Sequence, residues 1–103
     1  MRGDVHRIKP PKGRQGHQQR GQRLAVIVQS DKVYLSTVIV APTSTAAIPT
    51  STRPQVEIDG ETTHVMAEQI MAVDWSQLGD PIGHLSHDEM VAVDQAIHVV
   101  LFR

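Results

Sequence analysis

Two runs rich in β-branched residues, Leu24-Ala25-Val26-Ile27-Val28 and Thr37-Val38-Ile39-Val40-Ala41, constrain this chain more than any other feature. A strand with one wet face alternates polar and apolar residues, whereas a short unbroken apolar run marks a strand covered on both faces. Such runs are also far shorter than the ~20 apolar residues that a membrane helix needs. Polar residues around Ser30-Asp31-Lys32 turn the chain between them. The pair therefore reads as the centre of a small β-barrel. A chain of 103 residues leaves room for one domain, residues 1–103, and not for separate nucleotide and substrate lobes.

The flanking segments fit that centre. Asp4-Val5-His6-Arg7-Ile8 has the period of a half-buried strand, ended by Pro10-Pro11. Residues 12–22 hold three glycines and no apolar side chain, which predicts an exposed loop. Pro42 is expected to close the second apolar strand, with a Thr/Ser/Pro loop over residues 43–53. Asp59-Gly60 between Gln55-Val56-Glu57-Ile58 and the run from Glu61 to Val65 predicts a type I′ hairpin. Its second arm is expected to run on through Met66-Ala67 toward Ile70. Ser86-His87-Asp88-Glu89 has the form of a capping box, and Met90, Val93, Ile97, Val100 and Leu101 then recur on a helical stripe. The expectation is five short strands followed by one C-terminal helix: a mainly β small barrel. Its core is thin at this length, and homodimerisation is a natural way to cover exposed apolar surface.

Charge is unevenly distributed. Residues 1–23 carry seven basic groups and one acid, and residues 24–103 carry three and ten, so the net charge of −1 hides a +6 segment beside a −7 one. Such asymmetry points to a polyanion or an acidic partner. The absence of cysteine excludes disulfides, thiolate zinc sites and thiol nucleophiles. With neither an apolar leader nor a membrane-length run, a soluble cytoplasmic protein without a membrane partner is expected.

Five ordered pieces resemble a known family. They are Arg2-Gly3-Asp4-Val5, then Gly16-His17-Gln18-Gln19-Arg20-Gly21-Gln22-Arg23 leading into the strand that ends Val28-Gln29-Ser30-Asp31. Thr37-Val38-Ile39-Val40-Ala41-Pro42 running into Ser44-Thr45 follows, and then Glu68-Gln69-Ile70 ahead of Val73-Asp74. The set is similar to the MazF/PemK/Kid toxins of type II toxin–antitoxin systems and spans nearly the whole chain. The resemblance implies an SH3-like, CcdB-like barrel, a homodimer, and a metal-independent endoribonuclease acting on single-stranded RNA without a cofactor. It also implies a cognate MazE-like antitoxin with an acidic C-terminal tail. Leu24, Gln18, Ser44, Met66 and Glu68 depart from residues common in parts of the family.

Metal-free RNA cleavage uses the substrate's own 2′-hydroxyl as nucleophile, so a protein must supply a base, an acid and positive charge. Arg23 is the candidate for charge, because a guanidinium forks onto phosphate oxygens. His17 suits proton transfer, since an imidazole ordinarily titrates near ~6.5. Ser44 and Thr45 offer hydroxyls and backbone donors to a phosphate. Glu68 is either a base for the 2′-hydroxyl or a buried carboxylate pairing with Arg23 or another cation. Gln18, Gln19, Arg20 and Gln22 are candidates for reading RNA, and Tyr34, Trp75 and Phe102 are the only rings that can stack on bases. His64 and His98, in a strand and a helix, read as satisfied structural residues. His84 and His87 lack an obvious third ligand, so no metal is expected. The alternatives are a non-catalytic barrel that binds an acidic peptide, motivated by Gln18 and Met66, and a gyrase-directed CcdB-like toxin.

Overall fold

A computed structural model describes residues 1–9 and 23–102. The strands are β1 (Asp4–Ile8), β2 (Arg23–Ile27), β3 (Thr37–Ser44), β4 (Gln55–Ile58), β5 (Glu61–Val65), β6 (Met71–Asp74) and β7 (Leu78–His84), and one helix, α1 (His87–Phe102), follows. The sheet runs in the order β4-β5-β3-β2-β1-β7, with β6 paired to the first half of β3. The result is a mainly β, partly closed barrel with a C-terminal helix, the architecture the sequence predicts.

Both faces of β2 are buried over Ala25–Ile27, and β3 is buried at Val38 and from Val40 to Pro42, while Ile39 is 40% exposed. Val26 joins Val5, Ala41, Val56, Val65, Leu85 and Val93 in one cluster. Ala25 and Ile27, of opposite parity on the same strand, join Val38, Val40, Val73 and Leu78 in a second. Helix α1 covers the first cluster with Met90, Val93 and Ile97. Leu101, placed on the same stripe by its spacing, is instead 54% exposed.

The expected hairpin is present. Ile58 pairs with Glu61 across Asp59 and Gly60, whose φ values of 52° and 80° are the positive pair a type I′ turn requires. The capping box is present too: Glu89 N–H donates to Ser86 Oγ at 3.1 Å, and Ser86 N–H to Glu89 Oε1 at 2.8 Å.

Three expectations are corrected. Pro42 does not end its strand; β3 continues to Ser44. Along β3 the neighbour changes from β6, which ends at Met71 opposite Val40, to β5, which begins at Val65 opposite Thr43. Pro42 lies in that gap, where its missing N–H interrupts no ladder, and its carbonyl accepts from Met66 N–H at 2.9 Å. Secondly, β5 stops at Val65, and Ala67–Gln69 forms a short 3-10 turn. Thirdly, there are two further strands. The sequence of β7, Leu-Gly-Asp-Pro-Ile-Gly-His, has little strand propensity, but β7 is an edge strand, where Pro81 is tolerated.

Two motif pieces turn out to be structural. Arg2 donates from its backbone N–H to Asp31 at 2.7 Å and from Nη1 to the Val28 carbonyl at 2.8 Å, and it pairs with Asp94. Gly3 takes φ of 91° and passes so near the His84 ring that an added Cβ would lie 3.1 Å from it. Gln29 is buried and spans the 30–38 loop, donating to the Val33 carbonyl at 3.1 Å and accepting from Ile39 N–H at 3.2 Å.

Candidate active site

Strand β2 opens at Arg23, whose side chain is exposed. Its backbone is held in the ladder opposite Ile8, so the guanidinium projects from a fixed base. Strands β2 and β3 pair antiparallel with Ala25 opposite Pro42. Continuing that register by two residues sets Arg23 opposite Ser44. The hydrogen bond from Thr43 Oγ1 to the Leu24 carbonyl, at 3.5 Å, lies between. Arg23 and Ser44, 21 apart in the chain, thus lie two residues past the last paired rung, at adjoining strand ends and on the same face by strand alternation.

Ser44 closes β3 and is half-buried. Its Oγ accepts from Ala46 N–H at 3.2 Å, which fixes the turn and leaves the hydroxyl proton free to donate. Thr45 follows on the exposed turn. On the other side of Ser44, the β3–β5 ladder places His64 directly opposite, and Gln55 stands beyond it on β4. Directly opposed residues on paired strands share a face, with Cβ atoms ~4.5–5.5 Å apart. Arg23, Ser44, His64 and Gln55 therefore form one row across the outer face, while Thr63 and Val65 point to the core.

Glu68 does not join this row. Its Oε2 accepts from Arg53 Nε at 2.9 Å and lies 2.8 Å from Arg53 Nη2, and its Oε1 accepts from the Thr52 hydroxyl at 3.1 Å. The partner is Arg53 rather than Arg23, and the carboxylate is not deeply buried: its side chain keeps 30% of its exposure. What burial there is pushes its pKa up, but the Arg53 hydrogen bond, a backbone N–H, Thr52 and the Arg53 charge together hold it below the usual value. These contacts tie the end of the 45–53 loop to the 3-10 turn. Ala67 N–H donating to the Thr52 carbonyl at 3.0 Å adds a third tie. Arg53 carries no motif signal, and only the fold identifies it.

His17, Gln18, Gln19, Arg20 and Gln22 fall on residues 10–22, outside the described residues. The three rings that could stack on bases stand elsewhere. Tyr34, 90% exposed, and Trp75 line an apolar hollow with Ile27, Val33 and Val38. Ile27 is at the opposite end of β2 from Arg23, ~13 Å along the strand at 3.3 Å per residue. Phe102 packs on His98 with ring centroids 5.4 Å apart. His84 is bonded to Asp4 at 2.6 Å, and among the described residues no three His, Asp or Glu side chains converge as metal ligands.

Residues 1–101 match the profile of PemK-like, MazF-like toxins of type II toxin–antitoxin systems. The chain belongs to this toxin family. A Mycobacterium tuberculosis protein named as a candidate toxin is 37% identical over 98 residues, covering 94% of this chain and 92% of the relative. Among solved structures, a mycobacterial endoribonuclease bound to its cognate antitoxin superposes with a TM-score of 0.79 at 21% identity, over 98% of this chain and 93% of that one. The M. tuberculosis toxin MazF-mt6 gives 0.75 at 20% identity, over 94% of each chain. MazF in a MazE–MazF complex from Deinococcus radiodurans gives 0.78 at 13% identity, over 98% and 93%. These likenesses show the fold, and the profile match over nearly the whole chain shows the toxin family.

Proposed function

We propose that the chain is a sequence-specific, metal-independent endoribonuclease that cuts single-stranded RNA and thereby arrests translation and growth. The observation that carries this reading is the alignment of Arg23 with Ser44 on the outer face, in a chain of this toxin family. A solved neighbour of the same fold is named an endoribonuclease.

The chemistry follows from what the residues can do. The RNA 2′-oxygen attacks the adjacent phosphorus and the P–O5′ bond breaks, giving a 2′,3′-cyclic phosphate and a 5′-hydroxyl. Negative charge accumulates on the equatorial phosphoryl oxygens. Arg23 meets it with a planar fork, and Ser44 Oγ and the Thr45 hydroxyl donate from the neighbouring turn. His17, as the imidazolium, protonates the departing 5′-oxygen. Gln18, Gln19, Arg20 and Gln22, close to His17 in sequence, read the strand. Glu68 is committed to Arg53 and Thr52, which suits it to hold the Ser44–Thr45 turn in place better than to accept a proton. Two partners complete the proposal: a MazE-like antitoxin whose acidic tail competes with RNA for the basic surface, and a second copy of the chain. The exposed apolar side chains of Val33, Tyr34, Leu35 and Trp75 support the homodimer.

The test is incubation of the purified chain with mixed RNA in EDTA, with 5′-hydroxyl ends mapped after cleavage. Discrete ends from the wild type and their loss in Arg23→Ala and Ser44→Ala are expected. No cleavage by the wild type, or undiminished cleavage by both variants, overturns the reading.

A further inference from the structure

We propose that His64 is a catalytic residue, the base that takes the proton from the RNA 2′-hydroxyl. The proposal rests on the endoribonuclease reading and fills the one role that reading leaves vacant once Glu68 is bonded to Arg53.

His64 is the direct ladder partner of Ser44, on the face it shares with Arg23. A phosphate held between the Arg23 guanidinium and the Ser44 hydroxyl therefore lies within one strand spacing, ~4.8 Å, of the His64 position.

Nδ1 of His64 is buried and has no hydrogen-bond partner among the described residues. An unpaired buried donor is the costlier defect, and a bare acceptor the cheaper one. Two other histidines are engaged through the same atom: His6 Nδ1 contacts the Gly79 carbonyl at 2.8 Å, and His84 Nδ1 contacts Asp4. The sequence reading of His64 as a satisfied structural residue is therefore corrected. Its ring has the uncommitted nitrogens that a proton acceptor needs, and the half-buried side chain keeps contact with the outer face.

Three strands surround the ring. From β2 the group in the row is Arg23; from β3 it is Ser44; from β4 they are Gln55 in the row and Glu57 one diagonal step away. None of them hydrogen-bonds to the ring.

The 2′-oxygen bonds to phosphorus as its proton passes to a His64 ring nitrogen. The P–O5′ pair stays on the 5′-oxygen, which takes its proton from His17. Solvent restores both rings afterwards.

The experiment is the pH–rate profile of cleavage in EDTA for the wild type, His64→Gln, His17→Gln and His98→Gln. A base must be deprotonated to act, so it sets the acidic limb of a bell-shaped profile. His64→Gln is expected to lose between roughly a hundredfold and ten-thousandfold in rate, together with the acidic limb. His17→Gln keeps that limb and loses the basic one, and His98→Gln changes neither. Cleavage by His64→Gln at the wild-type rate, or with the acidic limb intact, overturns the assignment while leaving the endoribonuclease reading standing. A wild type that does not cut overturns that reading instead. Side-chain NMR of the histidine rings and the Arg23 guanidinium, on the wild-type chain with inorganic phosphate, covers a His64→Gln variant that fails to fold. A saturable shift of the His64 resonance is expected, and no shift while Arg23 responds overturns the proposal.

Discussion

Arg53 holds one oxygen of Glu68 between two guanidinium nitrogens, at 2.9 Å from Nε and 2.8 Å from Nη2. Thr52, its neighbour in sequence, occupies the other oxygen at 3.1 Å. Two residues 15 apart thereby fix the return of the loop that begins at Ser44.

Breaking that clamp should cost activity more than stability. The pair is partly exposed, so Arg53→Ala is expected to lower unfolding free energy by no more than ~1 kcal/mol. Freeing the loop misplaces the Ser44 and Thr45 donors, and a tenfold fall in cleavage rate corresponds to about 1.4 kcal/mol of lost transition-state stabilisation. Urea unfolding and single-turnover cleavage of Arg53→Ala, with Glu68→Gln beside it, measure the two effects separately.

The geometry at Arg23 distinguishes shape from charge. Arg23→Lys keeps the charge and loses the planar fork, so it should fall nearly as far as Arg23→Ala, roughly a hundredfold to a thousandfold in rate. Near-wild-type activity of the lysine variant would show that a point charge suffices. Because Arg23 is exposed at a strand end, neither change should move the melting temperature appreciably.

What the sequence could and could not convey follows from how each element is stabilised. The central strands, the Asp59-Gly60 turn and the Ser86–Glu89 cap are encoded locally, by β-branching, positive φ and a side chain that reaches its own backbone. Strand β7 is not, because Leu78–His84 is extended only by pairing to β1, with register shifts on either side of His6. The candidate site was legible only as residue types: Arg23 and Ser44 carry motif signals. Their alignment was not, since it depends on the β2–β3 register and on Pro42 being tolerated inside β3. The place of His64 beside Ser44 was not legible for the same reason. Its pairing with Gln55 follows from the hairpin, but its pairing with Ser44 needs a third strand that no local pattern places.

Acid should loosen the molecule through three carboxylates. Partial burial pushes Asp4, Glu68 and Glu89 up, and their hydrogen bonds outweigh it and hold all three below their ordinary values of 3.8 for Asp and 4.5 for Glu. The partners are His84 and the chain terminus for Asp4, Arg53 and Thr52 for Glu68, and the Ser86 and Glu57 groups for Glu89. A carboxyl that is more acidic when folded adds stability that is complete above the unfolded pKa and is lost as pH falls through the folded one. Melting temperature should therefore be insensitive to these groups above about pH 5 and decline below about pH 4.5. Glu68→Gln removes one titrating group, so it should make the acid-side decline shallower. An unchanged slope would remove Glu68 from the account.

The turn that sets the β4–β5 register offers a stability test away from the site. Gly60 has φ of 80° and open space where a Cβ would stand, so a side chain there meets backbone strain and no steric contact. Gly60→Val is expected to cost about 1–2 kcal/mol in urea unfolding, the penalty of a left-handed conformation for a residue with a Cβ. The m-value should not change, since the same surface is exposed on unfolding.

RNA affinity should depend on salt and not on the aromatic residues. The rings of Tyr34 and Trp75 lie around the hollow at the Ile27 end of β2, whereas Arg23 marks the other end. Stacking on them is therefore separated from the proposed phosphate site by the length of the strand. Binding should rest on cations meeting phosphates, with the logarithm of affinity falling linearly against the logarithm of salt concentration. Removing one phosphate contact by Arg23→Gln should reduce that slope by about 0.7, the single-strand value for one released counterion. Tyr34→Ala and Trp75→Ala should leave the slope and the affinity unchanged while weakening self-association, since the apolar surface they expose is assigned to a second copy. A tenfold loss of RNA affinity in Trp75→Ala with the dimer intact would instead place the RNA across the hollow.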